Sequence, residues 1–239
     1  MPQFRSEDVP VPIKAEKVIT ELQEANPKVK NITFLNLDLA SLASVKAAAA
    51  KFLQRESRLD VLINNASIMM TKAGLTKDGY ELQFGTNVIG PALFTQLLLP
   101  TLRETAKINN QTRVVMLSSA AHARAPSNIY KFSEFRTEMT DLTIVPVHHG
   151  MVATNPHHAS EGFFLKPFLF AAIAFATPVE KGALSQIWAA VGPDAKTGQC
   201  YGPIGKAESG SKTSQNRELL EELFAYIQTE LKGHVEKIV

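Results

Sequence analysis

The sequence contains a single cysteine, Cys200, among its 239 residues. One thiol cannot close an intrachain disulfide, so the chain is not one of the small secreted scaffolds that disulfides hold together. The first 14 residues, MPQFRSEDVPVPIK, contain no apolar run of the kind that a secretory signal requires. We therefore expect a cytoplasmic protein.

The chain also lacks a large excess of charge of either sign. Its 25 lysines and arginines nearly balance 23 aspartates and glutamates, which leaves a net charge of +2, whereas a nucleic-acid-binding protein normally carries a clear basic excess. An apolar stretch at residues 162–176 is interrupted by Lys166 and Pro167 and is shorter than the roughly 20 residues that a bilayer span needs. We predict no nucleic-acid partner and no transmembrane span, and we interpret residues 162–176 as a buried or pocket-covering segment.

The composition and the apolar pattern favour an α/β domain. Hydrophobic residues make up 45% of the chain and charged residues 20%, which is enough apolar material for a sizeable core. The patterns predict strands at 32–39, 61–66, 113–119, 144–147 and 200–204, and helices at 14–25, 42–52, 80–106, 181–191 and 217–232. Their alternation indicates a mostly parallel sheet that is covered by helices on both faces. We expect one domain over residues 1–239, with residues 1–13 flexible.

Polar residues follow four of the predicted strands. In parallel sheets, ligands bind beyond the carboxyl ends of the strands. The candidates are therefore Asp38, the run Asn64-Asn65-Ala66, the pair Ser118-Ser119 and the run His148-His149-Gly150. Each of these alone is also ordinary turn or cap chemistry, since asparagine, serine and aspartate favour strand ends.

The order of the motifs is more informative than any one of them. LxLD, LDVLINNA, TNVIG, RVVMLSS and HGMVxT follow one another along the chain. Over about residues 14–232 this order resembles the short-chain dehydrogenase/reductase family, and in particular its retinol-dehydrogenase-like and fungal members. The resemblance implies a Rossmann-like doubly wound sheet and an oxidoreductase that uses NADP or NAD on a carbonyl compound or secondary alcohol. Residues 162–176 lie where the family places its substrate-covering loop, which favours a lipophilic substrate such as a retinoid-like, steroid-like or secondary-metabolite ketone.

The resemblance implies cofactor-binding roles for five residues. Asp38 matches the acid after the third strand, whose side chain holds the adenine ring. Asn65 and Ala66 match the Asn-Asn-Ala-Gly motif beside the adenosine ribose. Val152 and Thr154 match the segment that contacts the nicotinamide amide and the phosphates.

Two further residues match the family's catalytic positions. Ser119 matches the serine that hydrogen-bonds the substrate oxygen. Asn87 matches the helix asparagine that holds a water molecule in the proton relay. No metal is predicted, because the histidine pairs at 148–149 and 157–158 lack the spacing and the further ligands that a zinc site needs.

The sequence departs from the family at the cofactor phosphates. It contains no GxxxGxG motif, whose glycines bring backbone N–H groups and a helix N-terminus against the pyrophosphate. The chain begins at what resembles the second helix, and Ser67 replaces the glycine of the ribose motif. We therefore expect an incomplete Rossmann-like sheet, weak cofactor binding, and either a degenerate relative or an incomplete chain. Without the first βαβ unit, residues 32–39 have no neighbouring strand unless they pair with 61–66.

The second departure concerns the proton donor. The family carries a Tyr-xxx-Lys pair on a helix, in which the lysine lowers the pKa of the tyrosine. Here Tyr130 is followed four residues later by Glu134, so redox competence is in doubt.

Two alternatives to a redox enzyme stay open. The first is a non-redox protein on the remnant fold that binds a lipophilic ligand or catalyses an isomerisation or cyclisation. The second is a pseudoenzyme that acts through association with a full-length relative. A lipophilic small molecule is the expected partner of both the redox enzyme and the non-redox protein. Association of the chain with a second copy of itself also stays open. A nucleotide-binding assay separates the redox enzyme from the alternatives.

Overall fold

The computed structural model describes residues 11–69, 71–119, 142–150, 152, 177–211 and 213–235, and the structural statements below concern these residues. The first half is mostly helical. It contains α1 (Val11–Ala25), α2 (Leu42–Leu53), β1 (Val61–Asn64) and α3 (Gly90–Ile108). A helical turn at Leu82–Phe84 and a π-helical turn at Gly85–Ile89 lead directly into α3.

The second half supplies most of the sheet. Its elements are β2 (Arg113–Leu117), β3 (Thr143–Val147), α4 (Val179–Val191), β4 (Cys200–Gly202), β5 (Lys206–Glu208) and α5 (Arg217–Leu231). Short 3₁₀ turns at Pro203–Gly205 and Thr213–Gln215 follow β4 and precede α5.

The five strands form one sheet in the order β1-β2-β3-β4-β5. The first three pairings are parallel, and β4 pairs with β5 in the antiparallel sense. The predicted fold class, α/β with a mostly parallel sheet, is confirmed. The strand β5 was not predicted, because residues 204–216 have the polar composition of a solvent loop.

Helices cover both faces of this sheet because neighbouring strand residues point to opposite sides. On one face, Val114 and Ile144 belong to a core that α2, α3 and α5 complete. On the other face, Val115 and Val145 pack with Ala189 of α4. The alternation of helices and strands along the chain therefore produces the doubly covered sheet that the sequence predicts.

Residues 32–39 are the main correction to the sequence prediction, since they do not form a strand. Their leucines, Leu35, Leu37 and Leu39, pack against the first core. The backbone of residues 32–37 makes no hydrogen bond to any other described residue. The β-branched and aromatic content of this segment predicts a strand, and its backbone is extended with a partly buried face. A strand also needs a paired neighbour, and among the described residues β1 pairs only with β2.

The end of this extended segment crosses the start of α3 instead of joining the sheet. The carbonyl of Leu39 lies so close to Gly90 that a Cβ atom there would collide with it. Glycine is the residue that permits such an approach of two backbones. The position of α3 is therefore set by this crossing as well as by its apolar face.

None of the helices among the described residues is long and apolar enough to cross a bilayer. The apolar stretch at 162–176 lies outside the described residues, as does Tyr130.

Candidate functional site

The carboxyl ends of β1, β2 and β3 lie at one edge of the sheet, because the three strands are parallel and aligned. Asn64 of β1 is opposite Met116 of β2, and Leu117 is opposite Val147 of β3. One residue after this last pair, the backbone N–H of Ser118 donates to the carbonyl of Val147 over 2.7 Å. The structure therefore brings the ends of these strands together, as the sequence predicts.

Ser119 is the exposed residue at the end of the second strand. It follows Ser118, whose backbone is tied to β3, so the pair lies beside the start of the run His148-His149-Gly150. A serine hydroxyl at this edge can donate to or accept from a ligand oxygen. This is where the sequence predicts a residue that contacts a substrate oxygen.

The side chain of Asn87 makes two hydrogen bonds to the loop that follows β1. Its Oδ1 accepts from the backbone N–H of Ile68, and its Nδ2 donates to the Ile68 carbonyl, each over 2.8 Å. Asn87 lies within the π-helical turn, and its carbonyl cannot make the usual α-helical bond because residue 91 is Pro91, which has no N–H. The Asn87 carbonyl therefore lacks an α-helical partner and can accept from a water molecule, whereas its side chain anchors the loop.

The side chains of Asn64 and Asn65 connect β1 to its neighbours. Asn64 Nδ2 donates to Thr95 Oγ1 of α3 over 3.0 Å and lies 3.1 Å from Met116 Sδ. Asn65 Oδ1 accepts from Gln186 Nε2 of α4 over 3.0 Å. Asn64 thus holds strand to helix inside the fold, and Asn65 lies at the exposed edge.

Among the described residues, Gln186 has a hydrogen-bond partner for only one of its two side-chain amide atoms. Its Nε2 donates to Asn65, while its Oε1 is buried and makes no hydrogen bond to any described residue. A buried amide oxygen without a donor is costly. The exposed Ala66 follows Asn65 directly, so an acceptor and a small side chain occur together at the end of β1.

The remaining predicted cofactor residues are dispersed. Asp38 ends the extended segment, where its carboxylate accepts from the Ala40 N–H over 3.0 Å and from Lys77 Nζ over 2.9 Å. Val152 makes a parallel bridge with Thr177 and packs against Gly182, where a Cβ would come within 2.5 Å of it. These contacts place Asp38 near the start of α2 and Val152 near the start of α4.

Thr154 lies outside the described residues. Its predicted contact with the cofactor therefore stays a prediction.

A pair that the sequence did not predict joins β3 to β5. His148, 5% exposed, lies 2.8 Å through its Nε2 from Glu208 Oε2. Its Nδ1 accepts from the backbone N–H of Gly150 over 3.1 Å. His148 was visible in the sequence as a strand-end residue, but Glu208 is 60 positions away in a segment that looked like a loop.

Cys200 and Tyr80 carry groups whose surroundings suppress ionisation. Burial, together with the nearby Glu208 carboxylate, raises the pKa of the Cys200 thiol, so the reactive thiolate is disfavoured. Burial and the neighbouring Glu230 carboxylate raise the pKa of Tyr80, whose hydroxyl donates to Glu230 over 2.7 Å. Neither residue has the lowered pKa that a nucleophile or a proton-exchanging tyrosine requires.

The amino-acid sequence of this chain is similar to those of known oxidoreductases. The sequence model of the family described as short chain dehydrogenase matches residues 11–132. A short-chain dehydrogenase/reductase of Armillaria gallica is 33% identical over 248 residues, which cover 92% of this chain and 80% of that protein. Human retinol dehydrogenase 14 is 36% identical over 203 residues, which cover 72% of this chain and 59% of that protein.

A solved structure shares the fold. The alcohol dehydrogenase of the archaeon Thermococcus sibiricus, solved with 5-hydroxy-NADP, matches with a TM-score of 0.57 at 17% identity, over 80% of this chain and 81% of that chain. At this identity the match concerns the fold alone, and it shows that the mostly parallel sheet is Rossmann-like. Taken with the sequence matches, it leads to one conclusion: the chain belongs to the short-chain dehydrogenase/reductase family.

Proposed function

We propose that this chain is an oxidoreductase that uses NADP or NAD to interconvert a lipophilic carbonyl compound and the corresponding alcohol. The observation that carries the proposal is the shared edge of β1, β2 and β3, where Asn65, Ser119 and Gly150 follow three aligned parallel strands. Family membership supports the reaction class. The names of relatives such as retinol dehydrogenase 14 support an apolar substrate, as does the composition of residues 162–176.

The described residues fit one part of a nicotinamide dinucleotide better than another. At the end of β1, Asn65 and Ala66 are exposed, and a ribose hydroxyl could hydrogen-bond the Asn65 side-chain amide beside the small Ala66. Gly150, at φ +73°, gives the chain after β3 a conformation that glycine favours. No glycine-rich turn is present for the pyrophosphate, so the proposal includes weak binding of the cofactor.

The chain's own groups have distinct proposed roles. A bound nicotinamide supplies or accepts the hydride. The Ser119 hydroxyl hydrogen-bonds the oxygen of the substrate, and the backbone carbonyl of Asn87 holds a water molecule through which the proton moves. Asp38, Asn65 and Ala66 contact the adenosine half of the cofactor, while Val152 and Thr154 contact the nicotinamide half.

The absence of a Tyr-xxx-Lys pair sets the expected rate. General acid–base help is typically worth about 10²- to 10⁴-fold. We therefore expect turnover to be slower than that of a complete family member by a factor within this range, with the proton taken from water. Replacing Tyr130 by Phe should leave the rate unchanged under this proposal.

One alternative is favoured by a specific observation. The Asn87 amide is used on both sides by Ile68, and Asn65 is used by Gln186, so two family site residues also serve the fold. A non-redox protein that binds a lipophilic ligand at the same edge would need neither for catalysis. The same holds for a pseudoenzyme that associates with a full-length relative, whereas a cofactor-free isomerase or cyclase would act through Ser119, Asn87 or a histidine.

The experiment combines a fluorescence titration of NADPH with turnover of lipophilic ketones by the purified chain. The proposal predicts saturable but weak binding, slow oxidation of NADPH that depends on the ketone, and loss of turnover in Ser119→Ala with a free energy of unfolding lowered by about 1 kcal/mol or less. Ser57→Ala, which alters an exposed serine before β1, is the matched control and should behave like the wild type. Ligand binding without NADPH binding would favour the alternative, and saturation at low micromolar NADPH would show that the missing glycine turn matters less than proposed.

A further inference from the structure

The ring of His148 is held at both nitrogens. The residue follows β3, is 5% exposed, and continues the ladder to β4 because its backbone N–H donates to the Tyr201 carbonyl over 2.9 Å. Its Nδ1 lies 3.1 Å from the Gly150 backbone nitrogen, and its Nε2 lies 2.8 Å from Glu208 Oε2. Both contacts lie inside the fold, at the edge that carries the candidate site.

The partners decide which nitrogen carries the proton. A backbone N–H can only donate, so Nδ1 of His148 must accept from Gly150 and carries no hydrogen in this geometry. Nε2 then carries the hydrogen and donates it to the Glu208 carboxylate. The ring is therefore a neutral Nε2–H tautomer, with one acceptor and one donor, and both are used.

Glu208 is itself held firmly. It lies in β5, opposite Cys200 in the antiparallel pairing, and its backbone carbonyl accepts from Gln199 Nε2 over 2.9 Å. A Cβ at Gly202 would collide with Glu208 Oε1 and come within 3.4 Å of His148 Nε2. A glycine on β4 thus leaves the space through which the carboxylate reaches the ring.

We propose that His148 is a positioning residue, which fixes the backbone at His148–Gly150 (the Gly150 turn) and so sets the position of Val152 toward the nicotinamide half of the cofactor. Glu208 selects the tautomer that can accept from Gly150. The role of the turn toward a cofactor rests on the proposed function above. The hold of His148 on the turn does not depend on it.

Two His148 variants separate this role from a general contribution to packing. In His148→Asn, Oδ1 occupies the place of Nδ1 and can accept from the N–H two residues later, as in an Asx turn, but the side chain is too short for Glu208. In His148→Leu both contacts are lost. Because both variants lose the Glu208 contact, both should melt below the wild type.

The first measurement is hydrogen exchange at the Gly150 amide together with the ¹⁵N shifts of the His148 ring. We expect the Nε2–H tautomer, and exchange at Gly150 that is about 10-fold faster in His148→Leu but within about threefold of the wild type in His148→Asn. Glu208→Gln keeps an acceptor for Nε2–H and should preserve the tautomer. An Nδ1–H tautomer, or equal protection of Gly150 in His148→Leu and the wild type, would overturn the proposal.

The second measurement is the dissociation constant of NADPH for the same variants. Positioning predicts about 10-fold weaker binding in His148→Leu and near wild-type binding in His148→Asn, although both are destabilised. Equal weakening in the two variants, in step with their melting temperatures, would overturn the link to the cofactor. If the wild type binds no nicotinamide nucleotide, the proposed function fails, and the exchange at Gly150 still decides whether His148 positions the turn.

Discussion

Arg113 offers a strong test of how the sheet holds its covering helix. Its side chain is only 3% exposed at the start of β2. Nη1 donates to the carbonyl of Ala189 over 3.2 Å and to that of Gly192 over 2.9 Å. These carbonyls belong to the C-terminal end of α4, where an α-helix leaves acceptors without partners. Gln111 orients the guanidinium through its backbone and side-chain oxygens.

The expected effect of Arg113→Met follows from the two carbonyls, of Ala189 and Gly192, that lose the guanidinium as a donor. The variant fills similar space but removes the donor of two buried carbonyls, and among the described residues only the Gly192 carbonyl keeps another contact, 3.5 Å from the Ala195 N–H. Each unsatisfied buried carbonyl costs about 1–3 kcal/mol. The change also removes a buried charge, since burial lowers the pKa of Arg113, and this relief offsets part of the loss. We expect the free energy of unfolding to fall by about 2–3 kcal/mol.

Thermal unfolding followed by circular dichroism measures this effect. For a chain of this size the loss corresponds to a melting temperature lower by roughly 5–10 °C. The matched control is Arg217→Met, because Arg217 is 85% exposed and forms a surface pair with Glu221, which is typically worth about 0.3–0.5 kcal/mol. If Arg113→Met melts within about a degree of the control, the guanidinium does not hold α4 and the capping argument is wrong.

Three further predictions concern other parts of the fold. Gly90→Ala should lower the free energy of unfolding by about 1–3 kcal/mol, because the new Cβ meets the Leu39 carbonyl; urea unfolding that matches the wild type would contradict this. The backbone amides of residues 32–37 should exchange with solvent much faster than those of β2, since they lack hydrogen-bonded partners within the described chain; comparable protection would show a partner for this segment. Burial and Glu230 raise the pKa of Tyr80 above its ordinary 10.0. The folded chain therefore keeps this proton after the unfolded chain loses it, so the free energy of unfolding falls as the pH rises above about 10. Urea unfolding from pH 8 to 11 should show a smaller fall in this free energy for Tyr80→Phe than for the wild type, and an equal fall would contradict the assignment.

Much of the sheet and its helices is predictable because their signals are local. The apolar runs of β1, β2 and β3 and the helical spacing in α2 and α5 appear in the order and close to the bounds that the sequence predicts. Ser41, a residue type that favours helix N-termini, caps α2 with its hydroxyl accepting from the Ser44 N–H over 3.3 Å. Such features need only a few neighbouring residues, and distant partners do not change them.

Pairing between distant segments is what the sequence does not reveal. Residues 32–39 have the composition of a strand, yet a strand exists only when another strand lies beside it. β5 has the composition of a loop, yet Lys206–Glu208 pairs with β4.

In the candidate site, too, some features depend on local sequence and others on contacts between distant segments. The positions of Ser119 and Asn65 at strand ends follow from the local pattern. That both amide atoms of Asn87 contact Ile68, and that His148 meets Glu208, depends on contacts between segments that no local pattern contains. The strand ends could therefore be predicted, whereas the partners that orient their side chains could not.

The most direct test of the central claim is a titration of the ¹⁵N-labelled chain with NADPH and NADH, followed by amide chemical shifts. The account predicts saturable shifts that are confined to the ends of β1, β2 and β3, with Ala66, Ser119 and Gly150 among the affected amides, and an affinity weaker than low micromolar. Absence of saturation for both nucleotides, or shifts that centre on a surface away from this edge, would contradict the claim that the edge is a nicotinamide site.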